Sequence, residues 1–452
     1  MEEAATISQE FLFSIESRIP SDILELIFEA GARISHWEGA AQPKPLEIVV
    51  SHVNQRWRQI AVNLASLWSS IFATPFEAVD KLETYLHRSK NHNLRVCLFA
   101  CVGWWRRDML EQMRPHLRRF RRFHLVTNFV HPSPTVSSHF EDFDMPHLNT
   151  FLFTPLDSGE YHGDSIASPF LPFTRPSPSL TSLRLNGPTM DLIRPPFATI
   201  VQLCLTEERF PFPFRSVCDI LQSCNALVKL SFSGHTQRPH RRLATPLDVV
   251  PFVIPELKYL MLANGGNCDV LLSALSAPKL CGMRLCNFEE GDMAYFLQLS
   301  QVSKFPILES LSLVDDTFSV SDYHDIARVF PAIRSFACLN SSFTDDVLEF
   351  LVPLPTSDSA LDMPWPNLAS FSFSQAQFHE KHQALLCSLV STRIALQAPL
   401  THLFLGSANR LILDTERALW LEEELHLADG AELPEDEEMS LLMEFSGDGY
   451  RC

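Results

Sequence analysis

At 452 residues the chain is longer than one compact core usually holds, which predicts several domains or an elongated repeat array. Hydrophobic residues make up 46% and charged residues 20% of the chain, so the composition excludes global disorder, and the net charge of −18 opposes binding to nucleic acids. No segment approaches the roughly eighteen uncharged apolar residues that a bilayer helix needs, so no contact with a membrane is predicted.

The N-terminus and the cysteines predict where the protein resides. Glu2 and Glu3 are the opposite of the basic start of a secretory signal. The chain has 11 cysteines, an odd number without a Cys-x-x-Cys pair, which predicts reduced and mostly buried thiols rather than a disulfide framework or a zinc ribbon. We therefore expect an intracellular protein that is cytoplasmic, nuclear or both.

The first predicted element is a short helix between Arg18 and Gly31. Pro20, Ser21 and Asp22 are start signals, and Gly31 is a stop signal. Its apolar side chains recur at i, i+1, i+4 and i+5 and form one face, made of Ile23, Leu24, Ile27 and Phe28. A second helix is predicted over Glu47–Leu64 from apolar residues at helical spacing. Helices of this size form a marginal core, so a partner surface would help to stabilise them.

Three ordered motifs in this region resemble a known family. Ile19-Pro20-x-x-Ile23-Leu24-x-x-Ile27-Phe28, Val53-x-x-Arg56-Trp57-Arg58 and Ser66-Leu67-Trp68 are similar to the F-box, in the form common in mushroom-type fungi. The likeness continues in a predicted helix over 81–87 and a predicted strand over 94–99. The chain departs from the family at Asn54, where Cys is usual, at Ile19, where Leu is usual, and in a longer segment from Gly31 to Leu46.

The resemblance implies docking onto the Skp-type adaptor of a cullin-RING ubiquitin ligase. Six residues would face the adaptor: Ile19, Pro20, Ile23, Leu24, Ile27 and Phe28. Four would pack behind that surface or at its edge: Val53, Trp57, Leu67 and Trp68. The alternative is that all of them form the core of a small helical cap. Aromatic and aliphatic anchors on a marginal module favour the interface.

Downstream of Phe99, a unit of the form apolar-x-x-apolar-x-apolar recurs. Its copies are Phe120-Phe123-Leu125, Leu148-Phe151-Phe153, Leu180-Leu183-Leu185, Ile200-Leu203-Leu205, Leu227-Leu230-Phe232, Leu257-Leu260-Leu262, Leu280-Met283-Leu285, Leu308-Leu311-Leu313, Ile333-Phe336-Cys338, Leu368-Phe371-Phe373 and Leu400-Leu403-Leu405. Seven copies have proline two residues upstream, at Pro146, Pro178, Pro255, Pro278, Pro306, Pro331 and Pro366. This recurrence is typical of a solenoid in which each unit adds one strand to a parallel sheet.

The predicted fold class is α/β: a small all-α F-box-like module followed by a solenoid with parallel strands and outer helices. The helices are predicted over 217–227, 270–275, 322–330 and 345–351. The array resembles an irregular leucine-rich repeat, although the usual Asn or Cys three residues after the last Leu is missing. Loops rich in proline are expected over 131–138, 167–179 and 352–367, where partner specificity often lies.

Four segments follow from these patterns. Residues 1–14 form a flexible N-terminus, 15–72 the F-box-like module, 73–413 the solenoid and 414–452 an acidic tail. The segment 414–452 has 13 acidic and 2 basic residues, so it contributes −11 of the net charge. Its runs of like charge predict a solvated segment, to which the sequence assigns no function.

No pattern indicates an enzyme, a cofactor or a metal site. The chain lacks a phosphate-binding glycine loop and a Gly-x-Ser-x-Gly elbow. His379 and His382 lack metalloprotease spacing, which favours a surface cluster. Cys281 and Cys286 are more typical of core packing than of metal ligation. The arginines between Arg114 and Arg122 could contact RNA or DNA, but they more often form a solvated corner.

The sequence therefore predicts a non-catalytic substrate-recognition subunit of an SCF-type (Skp-cullin-F-box) ubiquitin ligase. The box would bind the adaptor, and the solenoid would bind a protein target through its sheet and loops. The alternative is a repeat scaffold for protein-protein interaction without a role in ubiquitin transfer.

Overall fold

The computed structural model describes residues 19–37, 45–74, 79–100, 107–127, 143–155, 177–186, 197–206, 214–234, 250–264, 268–288, 304–340, 344–352, 363–374, 379–406, 409 and 413–429. They fall into two compact units, one up to Leu180 and one from Thr181 onward. The flexible N-terminus predicted over 1–14 lies outside the described residues. So do residues 430–452 and most of the three predicted proline-rich loops.

The first unit begins with three helices: α1 (Ser21–Trp37), α2 (Leu46–Ser51) and α3 (Gln55–Asn63). Gly31 does not end α1, contrary to prediction. A Cβ atom at Gly31 would lie 2.9 Å from Cδ2 of Leu46, so the glycine allows α2 to pack closely against α1.

The single helix predicted over Glu47–Leu64 is wrong. The chain breaks after Ser51, and Asn54 starts α3 as its N-cap, because its side-chain oxygen accepts a hydrogen bond from the Trp57 backbone N–H at 2.8 Å. The asparagine that departs from the F-box pattern is therefore the residue that begins this helix.

The rest of the first unit alternates strands and helices. A 3-10 turn (Ala65–Trp68) leads into β1 (Ser70–Ala73), α4 (Val79–Arg88), β2 (Leu94–Ala100), α5 (Arg107–Met113), a second 3-10 turn (Arg114–Arg119), β3 (Phe120–Thr127) and β4 (Thr150–Pro155). The four strands are parallel and pair in chain order. The predicted helix over 81–87 and strand over 94–99 are confirmed. The boundary predicted between residues 72 and 73 falls inside β1.

The second unit contains further parallel strands and their connecting helices. Its elements are β5 (Ser182–Asn186), β6 (Gln202–Thr206), α6 (Phe214–Ser223), β7 (Lys229–Ser233), β8 (Phe252–Val253), β9 (Tyr259–Ala263), α7 (Cys268–Ala274), β10 (Leu275–Ser276), β11 (Gly282–Cys286), β12 (Ser310–Val314), α8 (Val320–Val329), β13 (Ser335–Leu339), α9 (Thr344–Leu351), β14 (Ser370–Ser374), α10 (Glu380–Ala395), β15 (His402–Leu405), α11 (Thr415–Glu424) and β16 (His426–Asp429). β8 and β10 form a small parallel pair of their own. The predicted outer helices correspond to α6, α7, α8 and α9.

Strand register confirms the repeat predicted from the sequence. Within each unit, the central apolar residue of one copy lies opposite the central residue of the next, as in Leu230 with Leu260, Leu260 with Met283 and Leu311 with Phe336. These side chains are buried on one face of the sheet, which we call the core face. Because parallel strands in constant register stack identical positions, the motif residues form continuous apolar rows.

The recurrence of proline two residues before the motif has a local structural cause. In six of the seven marked copies, the N–H of the first motif residue donates to the carbonyl of the residue before proline, as in Leu280 N to Ala277 O at 3.1 Å and Leu368 N to Trp365 O at 2.9 Å. Proline thus occupies the second position of a β-turn, where its fixed φ angle is preferred. The turn directs the chain into each strand.

A second local signal was missed in the sequence. Directly after β9, β11, β12 and β13, one residue adopts a left-handed conformation, with φ between 52° and 62°: Asn264, Asn287, Asp315 and Asn340. Asn and Asp tolerate this region best among non-glycine residues. The Asn287 amide also donates to the Asn264 side-chain oxygen at 2.8 Å. The asparagine of this array therefore stands two residues after the last motif residue rather than three.

The solenoid extends beyond the boundary predicted at residue 413. Asp414 caps α11, and β16 pairs in parallel with β15. Leu421 and Leu425 are buried, so an apolar face holds this segment although Glu422, Glu423 and Glu424 are exposed. Residues 414–429 are therefore a last strand-helix unit and not part of a solvated tail.

The helices pack on the core face, where aromatic contacts and the hydrogen bonds of a buried arginine hold them. Phe350 of α9 contacts Trp365 edge to face at 5.4 Å, and Trp365 contacts Phe336 of β13 at 4.7 Å. Arg393 of α10 is fully buried and donates to the carbonyls of Trp365 at 2.8 Å and Ala398 at 3.2 Å, with a longer contact to Leu368 at 3.4 Å. Burial lowers the pKa of this guanidinium to about 10.

We expect Arg393→Met to lower the free energy of unfolding by about 2–4 kcal/mol, because it leaves several buried carbonyls without donors. Urea denaturation at neutral pH measures this change. Arg328→Met is the matched control, since the Arg328 side chain is exposed and forms an ion pair at 2.7 Å with Asp325, one turn away on the same helix. Equal effects of the two substitutions would contradict the role assigned to Arg393.

Candidate functional site

The helix α1 divides its apolar residues between two faces. Leu24 and Phe28 are only 1% and 2% exposed, and the Phe28 ring contacts Trp57 of α3 edge to face at 5.1 Å. Ile23, Leu26 and Ile27 are 42%, 61% and 51% exposed and recur at i, i+3 and i+4. The prediction that Leu24 and Phe28 lie on the adaptor-facing surface is therefore wrong, because they form the core of the module.

Exposed apolar side chains also occur in the next helical segment. Val49 of α2 and Val53 just after it are 44% and 46% exposed. We call these two residues together with Ile23, Leu26 and Ile27 the apolar ridge. Leu26 and Val49 were not among the predicted site residues, although the spacing of Leu26 from Ile23 and of Val49 from Val53 was visible in the sequence.

The other predicted site residues support this surface from within. Leu67 and Trp68 are buried, and Trp57 and Ile19 are partly buried, whereas Pro20 is exposed. The Trp68 indole N–H donates to the Ala61 carbonyl at 2.8 Å, and the Arg88 guanidinium lies 4.3 Å above its ring. These contacts fix the end of α3 against α4. The ridge is thus carried by a module whose core is its own.

Glu47 is a buried acid at the base of this module. The Tyr85 hydroxyl of α4 donates to its Oε1 at 2.5 Å, while Oε2 has no hydrogen-bond partner among the residues that the structure describes. Burial raises the pKa of the Glu47 carboxyl, and the Tyr85 hydrogen bond and the charge of Lys81 offset only part of that shift. Because the folded-state pKa is raised, the contribution of this group to stability is lost as the pH rises through that value.

We expect Glu47→Gln to stabilise the first unit by about 1 kcal/mol near pH 7, since a neutral amide replaces a buried carboxylate. This gain in stability should vanish below pH 4.5, the ordinary pKa of the group, because the Glu47 carboxyl is then protonated in both the folded and the unfolded chain. Urea denaturation near pH 7 and below pH 4.5 measures the change in the free energy of unfolding. Glu83→Gln on the exposed side of α4 is the control, and a gain that does not depend on pH would contradict the assignment.

The sheet face opposite the core face is closed over part of the second unit. Six residues of β9, β11, β12 and β13 form a buried apolar cluster there: Met261, Ala263, Cys286, Val314, Ala337 and Leu339. Arg284 lies within the same region and is buried, with Met261 and Ser312 beside it in the register. On this face, the side chains of these central strands are therefore buried and not exposed to solvent.

Arg284 differs from Arg393 in its partners. Within the described part of the chain, its Nε and Nη1 atoms have no hydrogen-bond acceptor, and neither has the Ser312 hydroxyl. We expect Arg284→Met to raise the free energy of unfolding by about 1–3 kcal/mol, because a buried guanidinium with two nitrogens that lack acceptors costs more than an apolar side chain. The effect should be opposite in sign to that of Arg393→Met in the same urea titration. A loss of stability would show that Arg284 is paired in solution.

A line of three polar side chains crosses β2, β3 and β4. Cys97 Sγ lies 3.6 Å from His124 Nδ1, and His124 Nε2 lies 3.0 Å from Thr154 Oγ1. This order is typical of a nucleophile, a base and an orienting group. However, burial raises the pKa of the Cys97 thiol to about 12, so little thiolate forms at neutral pH. The line packs the sheet and provides no activated nucleophile.

Other residues considered from the sequence have structural roles. His382 is buried, and its Nδ1 accepts from the His379 backbone N–H at 2.9 Å, so this pair caps α10 and is not a surface cluster. Arg118 pairs with Asp144 at 3.4 Å, and Arg119 donates to Ser89 Oγ at 2.6 Å. Among the described residues, no group of three potential metal ligands occurs, no cysteine is in a disulfide, and no helix is long and apolar enough to cross a bilayer.

Comparison with known proteins adds only distant likenesses to solved structures. No protein-family model and no curated protein matches the chain. Among solved structures, it is similar to the crystal structure of a TLR13–ssRNA13 complex, with 13% sequence identity and a TM-score of 0.33. The likeness covers 76% of this chain and 48% of the other, so this chain spans about half the length of that protein. A likeness this distant carries no argument, and it is the strand register that defines a leucine-rich-repeat-like α/β solenoid with N-terminal helices.

Proposed function

We propose that the chain is the substrate-recognition subunit of an SCF-type ubiquitin ligase. Its N-terminal helices would bind a Skp-type adaptor, and the solenoid would bind a protein target. The proposal is supported by the ordered F-box-like motifs of the sequence and by the exposed apolar ridge, which shares Ile23, Ile27 and Val53 with those motifs. The chain would contribute proximity between target and ubiquitin-charged enzyme and would make or break no bond itself.

The exposure of Ile23, Leu26 and Ile27 is the observation that carries the proposal. A short helix in a small module gains stability by burying its large apolar side chains, yet these three remain in contact with solvent. Clustered apolar side chains on a folded surface are typical of a protein interface. Val49 and Val53 of the next helical segment are exposed as well.

The positions that the ridge shares with the F-box motif specify the expected partner. Ile23 and Ile27 occupy aliphatic positions that the F-box resemblance assigns to adaptor contact, and both are exposed, as is Pro20 of the same set. Leu24 and Phe28 would then act indirectly, by holding α1 against Trp57 so that the ridge is presented. We therefore expect the adaptor to contact the outer face of α1 and the end of α2.

We expect Ile23→Asp combined with Ile27→Asp to weaken binding of a purified fungal Skp-type adaptor at least about thirtyfold, since each exposed anchor contributes on the order of 1–2 kcal/mol at such interfaces. Isothermal titration calorimetry with the full chain measures the affinity. Because both side chains are exposed, the melting temperature should stay unchanged.

Leu419→Asp provides the matched control, because Leu419 is an equally exposed leucine on α11 in the other unit. It should bind the adaptor like the unmodified chain. Unchanged binding by the double variant would rule out docking through the ridge. Absence of binding by the unmodified, folded chain would overturn the adaptor proposal itself.

A repeat scaffold without a role in ubiquitin transfer is the second candidate. The observation that favours it is the burial of Leu24, Phe28, Leu67 and Trp68, which gives the helices the closed core expected of a cap on the first strands. Ubiquitin conjugation on proteins bound to the chain, reconstituted with adaptor and cullin-RING components, separates the two candidates. Conjugation that requires the chain supports the ligase role, whereas adaptor-independent assembly of bound proteins supports the scaffold.

A further inference from the structure

A cavity of about 310 Å³ lies in the first unit, where α1 meets the beginnings of the first three strands. Its polar lining residues are Glu29, Ser66, Ser69, Ser70, Asn93, Arg95 and Arg121. It is separate from the apolar ridge, since Glu29 and Ala32 are the only α1 residues that line it. Its volume is at the lower end of the range of small-ligand sites.

Three polar side chains of this wall have no partner in the described part of the chain. These are the Ser70 hydroxyl, the Asn93 amide and the Arg95 guanidinium, and Ser70 and Arg95 are direct neighbours in the β1–β2 register. Two arginines of the basic stretch between Arg114 and Arg122 have partners: Arg118 pairs with Asp144, and Arg119 donates to Ser89. Arg95 is thus set apart from them, because it can give all of its donors to a ligand.

Arg121 reaches the cavity through an irregularity of the sheet. Leu94 pairs with Phe120 but Arg95 pairs with Arg122, so β3 has one extra residue at this step. That extra residue is Arg121. Bulges of this kind redirect a side chain and are frequent beside binding sites. The other described strand pairs keep a constant register. Within the described ranges, the one hydrogen bond of the Arg121 side chain is from Nη1 to the His147 carbonyl at 3.0 Å, which leaves its other N–H donors for a ligand.

The charge of the cavity selects the ligand. Two guanidinium groups with a hydroxyl and an amide match an oxyanion with several acceptor atoms, and guanidinium forks fit phosphate oxygens well. Glu29 is the one acidic residue of the wall, and the Ser66 hydroxyl donates to its Oε1 at 2.6 Å. With a single acid opposing two arginines, the cavity suits one phosphoryl group better than a polyphosphate chain.

We propose that this cavity is a binding site for a phosphate monoester group, held by Arg95 and Arg121 with Ser70 and Asn93 as further donors. The group could belong to a phosphorylated side chain of a partner or to a free phosphate. The site does not depend on adaptor binding, because no ridge residue lines it.

Isothermal titration of the full chain with inorganic phosphate, with O-phosphoserine and with acetate tests the proposal at fixed ionic strength. Phosphate or phosphoserine should bind in a one-to-one ratio, and Arg95→Gln should weaken that binding at least tenfold. Ser70→Ala should weaken it severalfold. Arg118→Gln, an exposed arginine outside the cavity, should leave it unchanged. Tighter binding of phosphoserine than of phosphate assigns the site to a phosphorylated side chain, and equal binding assigns it to the phosphate group alone.

Two results would overturn the proposal. One is the absence of phosphate and phosphoserine binding by the folded chain, and the other is equal binding by Arg95→Gln and the unmodified chain. Acetate binding as tight as that of phosphate would also overturn it, because a carboxylate needs fewer donors. Circular dichroism of each variant confirms folding, and neither Arg95 nor Ser70 is buried.

Discussion

The backbone hydrogen bonds between successive repeats are the constraint on which the fold depends. Cys281 N donates to Lys258 O at 2.9 Å, Glu309 N to Cys281 O at 3.1 Å, and Arg334 N to Glu309 O at 2.7 Å, so each repeat is tied to the one before it at an equivalent position. This contact fixes the strand and leaves the segment between strands free to vary in length. Motif intervals of 20 to 35 residues are therefore compatible with one register.

Side chains at the two ends of each strand keep the chain on this path. Proline at the entrance sets a β-turn, and a left-handed Asn or Asp at the exit of four consecutive strands turns the chain out of the sheet. Neither residue contributes much buried apolar surface. These residues favour the turn conformations at the two ends of the strand over other backbone conformations, so that the apolar rows of the core face align in register.

The repeat was predictable from the sequence because its signal is local and recurs. The alternating motif residues identified the strands of the large sheet from β3 to β15, but not the separate pair β8 and β10. The last strand, β16, was missed because the acidic composition of its helix concealed the buried Leu421 and Leu425. The faces of α1 could not be predicted for another reason. Periodicity shows which residues share a face, but only the position of Trp57 decides that Leu24 and Phe28 turn inward. The cavity depends on a bulge, which leaves no signal in a sequence.

The division of α1 into two faces has a functional consequence. In a module whose anchors also formed its core, every change to the surface would change stability as well, and binding could not evolve separately from folding. Here Phe28 packs on Trp57 inside the module while Ile27, its neighbour in sequence, faces solvent. The interior sets how firmly α1 is held and the ridge sets what it can contact. A partner that covered the ridge would add its binding free energy to a module that is already folded, with little cost of ordering.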